Sequence, residues 1–167
     1  MSKLLKMKMD ELAVELLDKR KQQNLFDFVE FLKDNKFTLK RMSSYTWKIH
    51  HKNICIGSIR LNSLGYQPDG SWTVAPGNPG NPDKPSIIYI YIENLTNIEL
   101  QNLILNSVTP IPHPGCGRIR KKEHFFGKTV EQICTCVPFL IVSPDGAVLE
   151  NVKELIITTK NIMIDVL

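Results

Sequence analysis

A chain of 167 residues is the size of one domain, and its 43% hydrophobic and 23% charged residues are the composition of a globular protein rather than a disordered one. A fold of this length buries roughly 70% of the surface its unfolded chain exposes, so no staple is required for stability. The formal charge of +4 falls short of the clustered basicity of a protein that grips bare phosphate backbone, which argues against nucleic acid as a partner.

The first nine residues contain no unbroken apolar core of a secretory signal, and the apolar run Val137 to Val142 is far shorter than the ~18 residues that span a bilayer. Four cysteines without such a signal point to a reducing, cytoplasmic setting with free or metal-bound thiols.

Leu5, Met9, Leu12 and Leu16 recur at helical spacing and predict an amphipathic helix over the first twenty residues, with Lys19-Arg20-Lys21 at its cationic end. Asn24 is the expected cap of a second helix, striped by Leu25, Phe28, Val29 and Leu32 and closed by Asp34-Asn35-Lys36. Residues 1–36 thus form a helical pair, which either packs on the rest of the domain (37–167) or mediates a homodimer.

Tyr45 to His50 and Ile54 to Leu61 are rich in aromatic and β-branched residues around a polar turn, and predict a hairpin. Gly57 marks a bulge or a close approach inside its second arm. Ser71 to Val74 is a short third strand. The proline-rich stretch from Ala75 to Pro85 cannot pair in a sheet centre and reads as a loop. Ile87 to Ile92 is the strongest strand signal and is expected to be central. Asn97 caps a helix over Ile98 to Ser107, and Cys136 to Val142 forms a further strand. Ser143-Pro144-Asp145 places a serine cap and a first-turn proline before a last helix. Without strand–helix alternation, this order means α+β: an antiparallel sheet with helices packed mainly on one face.

Two groups of residues carry chemistry. Trp47, Trp72, Tyr89 and Tyr91 all fall on expected strands, and rings sharing a sheet face make an apolar pocket with polar handles. Tyr89 and Tyr91 share one face by alternation, while Ile88, Ile90 and Ile92 share the other. The second group is His113, Cys116, Cys134 and Cys136, with His124 as a spare ligand. His113-x-x-Cys116 has zinc-ligand spacing, and two cysteines two apart on a strand face the same way. Cys116, ahead of Arg118, Arg120, Lys121 and Lys122, is also in a setting that favours a reactive thiolate. The run from Arg118 to Lys128 reads as a solvated loop with Phe125 and Phe126 as core anchors. No catalytic motif is present.

Phe126-Gly127-Lys128, Cys134, Ser143-Pro144-Asp145 and the helix through Val152 to Ile156, with Trp47-Lys48-Ile49 and Ile54-Cys55-Ile56 upstream, resemble a small domain of unknown function in Firmicutes proteins. Such domains often carry further cysteines ahead of the Gly-Lys step, where this chain has Cys116 alone. The resemblance implies a bacterial cytoplasmic protein of the same architecture and no particular activity. The expected function is non-catalytic binding of a small molecule or a protein through the aromatic sheet face. The alternative is a zinc or thiol protein built on His113 to Cys136.

Overall fold

The computed structural model describes residues 7–61, 70–77, 95–108, 119–134 and 139–166. Two helices open it, α1 (Met9–Leu16) and α2 (Lys19–Asp34). In α1 the Lys8 N–H donates to the Glu11 carboxylate at 2.9 Å, so the third residue of the helix closes its own N-terminus. The second helix begins five residues ahead of the expected cap at Asn24. Asp18 caps it, its carboxylate accepting from the Lys21 N–H at 2.9 Å, and that bond holds the carboxyl below its ordinary 3.8. Lys19-Arg20-Lys21 therefore lies in the first turn of α2 rather than the last turn of α1.

The sheet is formed by β1 (Phe37–Ser43), β2 (Thr46–His51), β3 (Ile54–Leu61) and β4 (Trp72–Pro76). Helix α3 (Ile98–Asn106) follows, then a hairpin of β5 (Ile119–Phe125) and β6 (Lys128–Cys134), the short β7 (Ile141–Val142) and the long α4 (Gly146–Val166). Among the described residues the main sheet has five strands, all antiparallel, in the order β1-β2-β3-β4-β7. The architecture is α+β, as the order of sequence signals requires.

Directly paired residues of an antiparallel sheet point to the same side. The register aligns Arg41, Trp47, Ile59, Val74 and Ile141 in one row and Leu61 with Trp72 in the next. This side carries the core: Ile49, Ile59, Leu61, Trp72 and Val74 are buried, in one cluster with Leu12 of α1, Leu25, Phe28 and Leu32 of α2, and Val152 and Ile156 of α4. The N-terminal helical pair thus shares the core of the sheet. Phe28 packs on Trp72, the rings tilted by 34° with centres 5.8 Å apart. Helix α3 lies against α4. It is capped by Asn97, whose side-chain oxygen accepts from Glu99 N and Leu100 N, as expected.

Two glycines let backbones approach. At Gly57 a Cβ would sit 2.7 Å from the Ala75 carbonyl oxygen, and the register shifts alongside it between Ile49 and His50. Both expected roles, bulge and close approach, are realised there. Gly70, at φ +63, brings the start of β4 against the Leu16 carbonyl at the α1–α2 junction.

Two further differences have local causes. Arg118 to Lys128 is not a simple loop: from Ile119 onward it is the first arm of β5–β6, turning at Phe126 and Gly127 with φ of 51 and 73. Phe125 is indeed a core anchor, meeting Phe139 edge-to-face at 5.6 Å. The last helix starts at Gly146, and the Ser143 hydroxyl serves Trp72 instead of a helix end, accepting from its backbone N–H at 3.2 Å. The expected central strand Ile87 to Ile92 lies outside the described residues. No helix among the described residues is long and apolar enough to cross a membrane.

Candidate functional site

Helices α1 and α2 do not close completely over the β1–β2 edge of the sheet. Between them runs a groove of about 610 Å³, within the ~300–1,000 Å³ of small-molecule sites. Its floor is Leu39 of β1 and Trp47 of β2; its walls are Met9 of α1 and Phe26 and Val29 of α2. The polar groups along it are Asp10, Glu30, Asp34 and Lys33, three carboxylates against one ammonium. Among the described residues, none of those carboxylates is in an ion pair.

Trp47 is 6% exposed and held in place from one side by Arg41, whose guanidinium carbon lies 5.3 Å from the ring centre. Arg41 is itself fixed: it donates to the Met7 carbonyl at 2.7 Å, the Ser43 carbonyl at 3.1 Å and the Ser44 carbonyl at 2.8 Å. One side chain therefore ties the lead-in of α1 to the β1–β2 turn and clamps the groove floor. A planar guanidinium over an indole contributes about 0.5–2 kcal/mol, so the ring is preorganised rather than free to collapse into the groove.

Of the residues the sequence singled out, the structure brings Trp47 to the groove. Trp72 shares its sheet face but is fully buried under Phe28, sealed from the groove by α2, and its indole N–H has no hydrogen-bond partner. It is a core ring. Tyr89, Tyr91, His113, Cys116 and Cys136 lie outside the described residues, and of Cys134 the structure describes the backbone, paired with Ile119 at the end of β6. His124 stands exposed on β5 beside Thr129, its Nδ1 3.2 Å from the threonine hydroxyl. Among the described residues no group of three or more histidines, cysteines or acids is placed to hold a metal. Cys55, half-buried on β3, has its thiol pushed above the ordinary 9.0 by desolvation and is poorly suited to nucleophilic work.

Of the groove walls, Met9 and Val29 already stood in the expected apolar stripes, and sequence reading missed Phe26. Phe26 and Val29 lie beside Leu25, Phe28 and Leu32, so the apolar face of α2 is wider than a single core stripe, with Glu30 and Lys33 along its rim. That width was the available signal.

Comparison of the chain with protein-family models, with curated proteins and with solved structures gives no match.

Proposed function

We propose that this chain is a non-catalytic binding domain whose α1–α2/β1–β2 groove takes a small molecule with an apolar body and a cationic head. The observation that carries the reading is the pairing of a clamped, groove-lining Trp47 with three carboxylates that have no ion-pair partner among the described residues. The apolar body lies along Trp47, Leu39 and Val29, while the head reaches Glu30 or Asp34 one helical turn apart on α2. Solvent-exposed ion pairs contribute only ~0–1 kcal/mol each, so most of the affinity must come from the ring and the aliphatic walls.

Phenethylamine and phenylacetate make the test, since they share a ring and differ in the sign of the head. At the ~0.3 kcal/mol per atom or somewhat better that small ligands reach, phenethylammonium should bind with a Kd on the order of 1–10 mM. Phenylacetate should be roughly fivefold weaker, the difference that one exposed charge contact of up to ~1 kcal/mol makes. Indole fluorescence and backbone-amide shifts follow the titrations. Trp47→Phe should weaken both ligands, and Glu30→Gln with Asp34→Asn should erase the preference between them. Equal affinities in the unaltered protein, or shifts that bypass α2 and β2, would sink the reading.

A further inference from the structure

The side of the sheet turned away from the helices has a different chemistry. None of the five strands contains an aspartate or glutamate. The register places Lys40 directly opposite Lys48, with Ser58 next in the same row, and pairs His50 with Cys55 and Arg60 with Thr46 and Thr73 in the flanking rows. Neighbouring strands are ~4.8 Å apart and diagonal neighbours ~7–8 Å, so Lys48 adjoins Lys40 directly, Arg60 diagonally and His50 along its own strand, and a ligand centred on Lys48 is flanked by the other three.

We propose that this face is an anion site, built from Lys40, Lys48, His50 and Arg60, for a small molecule bearing phosphate or pyrophosphate. It stands independently of the groove on the other side. Four observations support it. Two like charges directly opposite one another destabilise a sheet, and no aspartate or glutamate of the five described strands stands between Lys40 and Lys48. Arg60 is half-buried yet spends only its Nε, which donates to Thr46 Oγ1 at 3.1 Å, and no ion pair among the described residues involves it. Burial disfavours its charged form, and no carboxylate among the described residues pairs with it to offset the loss. Beside it, Thr73 is 1% exposed and its hydroxyl has no partner, and the buried Nδ1 of His50 has none either.

The occupant's charge follows from this arrangement. A lone carboxylate would meet one or two of these groups, whereas a doubly or triply charged phosphoryl group has acceptor oxygens for two ammonium groups and a guanidinium together. The described strands put no tyrosine, tryptophan or phenylalanine on this side, so a base-stacking platform for single-stranded nucleic acid is not what these residues provide.

Calorimetric titration of the full chain with sodium pyrophosphate, and with inorganic phosphate, tests the proposal. The expected result is saturable one-to-one binding at low salt, tighter for pyrophosphate, and weakened as salt rises. Lys48→Gln and Lys40→Gln, substitutions of a half-buried and an exposed side chain, should each reduce affinity roughly tenfold, the loss of one charge-assisted contact. Arg60→Gln should reduce it further, and if that variant does not fold the two lysine variants still decide the matter. Glu30→Gln in the groove should change nothing. Absence of saturable binding, or pyrophosphate affinity indifferent to Lys40→Gln and Lys48→Gln, overturns the proposal. So does an oligothymidylate that binds more tightly than pyrophosphate through the same lysines, which would make the face a nucleic-acid surface.

Discussion

Trp72 and Thr73 are neighbours on β4 and belong to opposite sides of one sheet. Trp72 points into the helices, where Phe28, Leu61 and Val74 surround it. Thr73 points the other way, into a row with Arg60 and Thr46. Both side chains are buried, and each leaves a polar atom without a partner. The resemblance ends there. On the helical side the unpaired Trp72 indole N–H and His51 Nδ1 are outweighed by the apolar surface around them. On the other side polar and cationic groups are the rule, and burial works against them. Alternation at period two is what lets one strand serve both regimes, and it explains why a single sheet can carry an apolar core and an anion site only a backbone's thickness apart.

The sharpest way to break this comparison is to remove the ring. Trp72→Ala should destabilise the domain by about 3–5 kcal/mol, because its neighbours on β3, β4 and α2 cannot all collapse into the space. Chemical denaturation, read by circular dichroism rather than by the lost indole, measures it. A loss below ~1 kcal/mol would mean that the helical side is not the tight core described above.

How much of this was legible in the sequence depended on which residues carried the signal. The arm Ile54–Leu61 could be bounded because its β-branched residues alternate and a two-residue polar turn precedes it, with Lys52 taking the positive φ. Asn97 was legible because a cap residue of the strongest kind stood directly before a periodic run. The start of α2 was not, since Asp18 and Asn24 are both cap residues and local chemistry cannot choose between them. Packing chooses: an early start lets α2 bring Phe28 over Trp72 and Phe26 over the sheet edge. Strand β1 escaped because, as an edge strand, it buries only Phe37 fully and its charges look like a loop. Hairpin β5–β6 escaped for the same reason. Trp47 was visible as a candidate, but Asp10, Glu30 and Asp34 reach it only through the way two helices meet a sheet. The cationic side was hidden twice over, because each of its charges comes from a different stretch of sequence and the net charge of the chain is small.

A milder change sharpens the comparison from the polar side. Thr73→Val keeps the shape of the side chain and deletes a buried hydroxyl that has no partner. Leaving such a group unsatisfied costs about 1–3 kcal/mol, and valine is at least as good a strand residue, so the variant should be more stable by about 1 kcal/mol. That corresponds to a rise in Tm of about 2–4 °C for a domain of this size. If the anion site is real, the same substitution leaves pyrophosphate binding intact or weaker, never stronger, which separates a gain in packing from a gain in function.

The smallest effect samples both sides at once, through two adjacent histidines. His51 is on the core side, its ring 5.5 Å from Phe37, and burial together with Lys160, Lys52 and Lys36 holds it below the ordinary 6.5 despite a hydrogen bond with the Lys36 backbone that pulls the other way. His50 is on the cationic side, lowered by burial and by Lys40 and Lys48, with Cys55 paired beside it, Lys48 in the flanking row and Arg60 one row beyond. Because both folded values lie below 6.5, the unfolded chain binds more protons than the folded one as pH drops past 6.5. Stability contributed by the neutral rings is therefore present above 6.5 and is lost as pH falls from there toward each folded value. Thermal melts should show Tm declining across that window, with His50→Gln and His51→Gln each flattening part of the decline. Pyrophosphate then separates the two rings. An anion between Lys40 and Lys48 cancels the repulsion that lowers His50 and should move its NMR titration upward, while His51, screened behind the sheet beside Phe37, should titrate as before. Movement of both rings would point to a diffuse ionic effect; movement of neither would leave the cationic side without its ligand.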